Sequence, residues 1–242
     1  MLLQRANSLA SAAPAIPDFN TGNPKAEELL CDLRGTPHAF VLACLMDRQI
    51  KAEKAWRIPY AIQQRLGTFS FEALSRLSVR RWRRLLSKPS PLHRFNGTMA
   101  VVAHAAMQHI GAEYGGDAGR IWSAKPSSAT LVLRFLRFAG AGPKIATMAA
   151  NILVRDFRIP VSDRFSIDVS PDVQVRRVFR RLGLVQPKAS SEEIIYAARS
   201  LSPEYPGIID FVAWELGRTS CRARKPRCSE CFARAVCPSS AA

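Results

Sequence analysis

The sequence lacks any run approaching the ~18 continuous apolar residues that a helix needs to cross a bilayer, so no membrane-spanning helix is expected. The opening stretch, MLLQRANSLASAAPAIPDFNTGNP, has one arginine and scattered small residues but no apolar core of the kind a secretory leader carries. Residues 1–24 therefore read as a mostly disordered tail, and a cytoplasmic protein is expected. Alternating strand patterns, and Asn-Gly hairpins between such patterns, are missing too, as are internal repeats. Acidic residues are scarce: 19 Asp and Glu stand against 35 Lys and Arg, a formal net charge of +16. A surplus of that size favours polyanionic partners, of which nucleic acid is the commonest. Cysteines number only six in 242 residues, a chain long enough to bury a core without disulfides.

What is present is helical periodicity, which predicts an all-α fold. Candidate helices run through 25–33, 38–56, 59–66, 71–77, 80–86, 97–110, 128–138, 143–154, 172–182, 191–201 and 206–216. Ser190 to Glu193 reads as a capping box, and Pro143 and Pro206 sit at first-turn positions. Residues 155–172, with two prolines and four aspartates, read as a functional or connecting loop. Arg80 to Arg84, around Trp82, read as a solvated helix face with a buried tryptophan. Arg176, Arg177, Arg180 and Arg181 fall opposite an apolar stripe, which predicts a solvated face or phosphate contacts.

Four cysteines cluster near the end, in CRARKPRCSECFARAVC: Cys221, Cys228, Cys231 and Cys237, spaced C-x6-C-x2-C-x5-C. Thiolates gathered in one short loop can converge on an inorganic centre. Structural zinc usually draws on two close pairs, whereas here there is one, so the unequal spacing favours a [4Fe–4S] cluster over zinc. Arg222, Arg224, Lys225, Arg227 and Arg234 lie between the ligands, where they can offset the cluster or meet phosphate oxygens. Cys31 and Cys44 fall in apolar runs and read as small core residues.

This loop resembles the iron–sulfur loop of endonuclease III-type DNA glycosylases of the helix-hairpin-helix superfamily. Upstream, LRFLRFAGAGPKIATMAANIL resembles the hairpin of that family, usually worded L-P-G-V-G-R-K, with Gly140, Gly142 and Lys144 kept and Pro143 in place of the arginine. Two glycines permit positive φ and close backbone approach. The resemblance covers roughly 25–238 and is strongest over 138–146, 172–184 and 214–237. It implies a two-lobed fold: a six-helix barrel over 41–165, containing the hairpin at about 129–154, and a cluster domain formed by 25–40 plus 166–242, with the cluster loop at 221–237.

It also implies residue roles. Lys144 takes the place of the lysine that attacks the sugar C1′, as a partly desolvated amine against an apolar helix surface could do. DVQVRRVFRRLGL puts Asp172 at the position of the catalytic aspartate, with Val173-Gln174 where Thr-His is usual; Asp163 and Asp168 are rivals. A base must be rotated out of the duplex for such chemistry. Gln49, in LACLMDRQIKA, takes the position of the void-filling glutamine, with Asp47-Arg48 where Ser-Ala is usual, and Phe95 takes that of the wedge, with Leu92 as rival. The expected protein is a monomer acting on double-stranded DNA that carries a damaged base, by default an oxidised pyrimidine, or an abasic site. It would cut the glycosidic bond and nick the strand through a lysine Schiff base. A monofunctional glycosylase for another lesion, or a non-catalytic iron–sulfur DNA-binding protein, is the alternative.

Overall fold

A computed structural model describes residues 1–12 and 17–241. Among the described residues there are no strands, and the helices are α1 (Leu2–Ala12), α2 (Pro24–Cys31), α3 (Pro37–Met46), α4 (Ala52–Leu66), α5 (Phe71–Ser75), α6 (Val79–Ser87), α7 (Asn96–Tyr114), α8 (Ser128–Leu136), α9 (Pro143–Arg155), α10 (Val173–Arg181), α11 (Ser191–Leu201) and α12 (Asp210–Thr219), with short 3-10 turns between and after them. None of these helices is long and apolar enough to cross a membrane. The chain divides into two compact units. One comprises Met1–Ala15, Lys125–Val132 and Ala146–Ala242; the other comprises Ile16–Ala124 and Leu133–Ile145. The boundaries differ from those expected, since residues 25–40 go with the unit that holds α3 to α7, and 146–165 go with the unit that holds the cysteine loop.

The unit holding α3 to α7 is built around α3, every residue of which is buried. A helix that is apolar all round can only be a central one. Around it, α6 turns Trp82 and Leu86 inward, while Arg80, Arg81, Arg83 and Arg84 stand in solvent, as the periodicity predicts. The sequence reading placed a helix over 38–56 and a break at Pro59. Instead α3 stops at Met46 and α4 carries Pro59 in its interior. No glycine or proline stands between Met46 and Ala52 to mark the break, and the helix end is supported both locally and from far away in sequence: the Arg48 amide and His93 Nε2 bond the Met46 carbonyl at 2.8 and 3.2 Å.

The other unit corrects the expected tail. Over Leu2–Ala12 the chain is helical, with Leu2 and Ala6 buried against the 3-10 turn Pro206–Ile209 and α12. Farther along, in the α3 to α7 unit, Phe19 and Thr21 are buried and their amides donate to the Glu27 carboxylate at 3.0 and 2.6 Å. Residues 155–172 are likewise tied down. Asp168 forms a two-point ion pair with Arg199, both contacts at 2.8 Å, and Asp163 accepts from Ser128 and Ser162. The capping box at Ser190 and Glu193 is formed as read.

Candidate functional site

Three segments of the α3 to α7 unit gather around the start of α9. The first is the loop after α3, residues 47–51. The second is the loop before α7. The third is the hairpin between α8 and α9. At the hairpin, Gly140 has φ +86, and a β-carbon there would lie 3.0 Å from Val102 and 3.2 Å from Arg48, so glycine is required by conformation and by space. Gly142 differs from the expectation: its φ is ordinary and a β-carbon would meet nothing within 4 Å. Its glycine is not demanded by the protein's own packing.

Lys144, the second residue of α9, donates from Nζ to Asp47 Oδ2 at 2.9 Å. The lysine side chain is 45% exposed and the aspartate 11%. The amine is thus ion-paired and half in solvent, not desolvated against an apolar surface as its sequence context suggests. Gln49 is exposed and sits at φ +54, a left-handed conformation uncommon for residues other than glycine. Phe95 is 38% exposed beneath the Arg94 guanidinium, 4.7 Å from its ring, whereas the rival Leu92 is half-buried.

The residue that joins the first two loops is His93, which sequence reasoning missed although it stands two positions from Phe95. Its Nδ1 accepts the Phe95 amide at 2.9 Å, which leaves Nε2 as the protonated nitrogen, donating to the Met46 carbonyl. One fully buried imidazole thereby fixes the spans bearing Gln49 and Phe95. Burial lowers His93, and likewise His38 and His109, below the ordinary histidine value. The unfolded chain then binds protons that the folded chain refuses. Stability should be full above about pH 6.5, the unfolded value, and fall as pH drops through it. Thermal melting at pH 5.0 is expected to occur below melting at pH 7.5, and a flat or inverse profile would refute this.

In the other unit, Asp172 caps α10: its Oδ1 accepts from the Gln174 and Val175 amides at 2.8 and 2.9 Å. The arginines of α10 are not a solvated face. Arg176 and Arg180 bond the Ala189 carbonyl, Arg177 bonds the carbonyls of Gly217 and Cys221, and Arg181 bonds those of Arg222 and Ala223. Guanidinium forks so placed satisfy carbonyls at the end of α12 and in the cysteine loop.

That loop brings Cys221, Cys228, Cys231 and Cys237 to one hollow of about 140 Å3, well above the ~10–15 Å3 that one water needs. Arg181 Nη1 lies 3.6 Å from Cys221 Sγ. Burial pushes the Cys231 thiol up, with the other three sulfurs adding to the effect. Among the described residues, no three His, Cys, Asp or Glu side chains are arranged to hold a single metal ion. Four thiols around one hollow are the donor set of an iron–sulfur cluster, which the residues present therefore fit. Arg222, Arg224, Lys225 and Arg227 are all exposed. By contrast, burial pushes the Cys31 thiol up to about 12 and raises Cys44 well above the ordinary value, as befits inert core residues.

No protein-family model matches the chain. Over 75 residues it is 32% identical to an endonuclease III homolog of Encephalitozoon cuniculi, a match spanning 31% of this chain and 32% of that relative's length. In structure it is similar to endonuclease III in a trapped covalent intermediate with DNA, with a TM-score of 0.65 at 15% identity over 99% of this chain and 93% of that one. A thermostable thymine-DNA glycosylase gives a TM-score of 0.61 at 14% identity, over 85% of this chain and 84% of that one. The 8-oxoguanine glycosylase/lyase of Clostridium acetobutylicum, bound to DNA, gives 0.57 at 15% identity, over 82% and 67%. The chain has the fold of the helix-hairpin-helix DNA glycosylases, and among them it resembles endonuclease III.

Proposed function

We propose that the protein is a base-excision repair enzyme, a DNA glycosylase with abasic-site lyase activity, acting on duplex DNA with oxidised pyrimidines as its default lesions. The observation that carries this reading is the amine of Lys144 at the start of α9, paired with Asp47 in the loop that presents Gln49, a loop whose entry His93 ties to the span bearing Phe95. An amine is the nucleophile that can replace a base at C1′. Its nitrogen forms a bond to C1′ as the glycosidic bond breaks, and the base leaves with the electron pair and takes up a proton. Ring opening gives a protonated imine. Loss of a C2′ proton then expels the 3′ phosphate and nicks the strand. Gln49 and Phe95 would occupy the gap left by the flipped nucleotide. Of the solved structures similar in fold, one is a trapped covalent intermediate of endonuclease III with DNA and another a glycosylase/lyase, and covalent lyase chemistry of that class is what this reading gives to Lys144.

The four cysteines would hold a [4Fe–4S] cluster, whose chemistry in this place is structural. It would brace a loop whose exposed cations meet the DNA backbone. Cys228→Ser is expected to strip bound iron and sulfide and to weaken DNA binding by about tenfold or more, as loop cations leave their phosphates. Cys31→Ser should keep both. Equal iron content in the two variants would remove the cluster assignment.

The deciding experiment is borohydride trapping of anaerobically purified protein on duplexes carrying an abasic site, thymine glycol, uracil or 8-oxoguanine. A covalent adduct on the abasic duplex, and on at least one base lesion, is expected. Tight binding with no adduct on any duplex would leave a monofunctional glycosylase or a DNA-binding protein.

A further inference from the structure

We infer that Asp47 is the proton acceptor for Lys144, a role resting on the reading of Lys144 as the attacking amine. As an ammonium, Nζ has no lone pair to offer, and one proton must leave before the N–C1′ bond can form. The Asp47 carboxylate lies 2.9 Å from Nζ, within the distance over which a general base works. Its own position is fixed. Asp47 is the residue just past the last turn of α3, its amide donating to the Cys44 carbonyl, and its side chain is only 11% exposed. A carboxylate on a buried, rigid helix end meets the amine at the hairpin without having to move. Asp172, by contrast, already uses Oδ1 to cap α10. A small pair at 47–48 would leave the amine without this carboxylate, so the acidic residue here has a chemical consequence.

On an abasic aldehyde the sequence of proton movements balances. Asp47 takes one ammonium proton, and the nitrogen lone pair forms the bond to C1′. The carbonyl oxygen takes a second proton from nitrogen. The proton held by Asp47 then departs with that oxygen as water. The product is a protonated imine, and the carboxylate is restored for the next cycle.

The test uses the full chain and a duplex with one abasic site, and it reads two quantities separately: the equilibrium affinity and the single-turnover rate of borohydride trapping. Asp47→Asn keeps the shape and an acceptor oxygen for Lys144 but removes the basic carboxylate. It is expected to bind within about threefold of the parent, because Asp47 donates nothing to DNA, and to trap ~10²-fold more slowly. Asp47→Ala should be slowed as much and recover part of the rate in added formate, a response that mere damage to the fold would not give. A trapping rate for Asp47→Asn equal to the parent's, or a loss confined to affinity, overturns the inference. So does a slow Asp172→Asn beside an unimpaired Asp47→Asn. A parent protein that never traps instead refutes the reading of Lys144 itself, so the two failures are distinct.

Discussion

Lys144→Ala should leave no borohydride-trapped adduct on abasic DNA and lower single-turnover strand cleavage by at least ~10³-fold, the scale on which removal of a covalent nucleophile is felt. The argument is one of replaceability. Around the start of α9 the structure pairs Nζ of Lys144 with Asp47, and the neighbouring Arg48 offers only a guanidinium, whose nitrogen lone pairs are delocalised and make a poor nucleophile toward carbon. Alanine is well tolerated in a first helical turn, so α9 should persist. The loss should therefore be chemical, with DNA affinity reduced only by one cationic contact and the salt dependence of binding shallower by about one counterion. An alanine variant that still forms the adduct would move the nucleophile elsewhere.

The largest structural effect is expected at Gly207. A β-carbon at that position would clash with Oδ1 of Asn151 and stand 2.8 Å from its Cγ. Asn151 cannot step aside cheaply. It is 1% exposed, its Nδ2 donates to the Asp168 carbonyl at 2.9 Å, and its Oδ1 accepts from the Tyr205 hydroxyl at 3.1 Å. Displacing it leaves two buried groups unsatisfied at ~1–3 kcal/mol each, and overpacking adds a similar amount. Gly207→Ala is thus expected to lose about 3 kcal/mol or more in urea unfolding, a large part of the stability of an ordinary domain. Since both side chains compete for one space, the double variant Gly207→Ala with Asn151→Ala should be far less destabilised than the sum of the singles. Additive losses would place the cause elsewhere.

Local chemistry was legible in the sequence. The capping box at Ser190, the positive φ at Gly140 and the inward face of Trp82 each depend on neighbours a few residues away, and each is found as read. What escaped depends on partners that no periodicity connects. Lys144 meets a carboxylate 97 residues away, and Met46 ends its helix on a histidine 47 residues away. The N-terminal helix escaped for a related reason: Leu2 and Ala6 make too slight an apolar stripe to predict a helix alone, and it is α12 and the turn before it that give the stripe something to cover.

The inward-turned arginines of α10 also separate two meanings of the charge of +16. Arg176, Arg177, Arg180 and Arg181 still contribute to the long-range field that draws a polyanion toward the protein. Each, however, has at least one N–H donor engaged by a carbonyl within the chain, so its guanidinium is held to the protein and has fewer donors to offer a phosphate. If the protein acts on duplex DNA as proposed, attraction and grip would fall to different cations: α10 would help to set how fast the duplex arrives, and the exposed cations of the cysteine loop how long it stays.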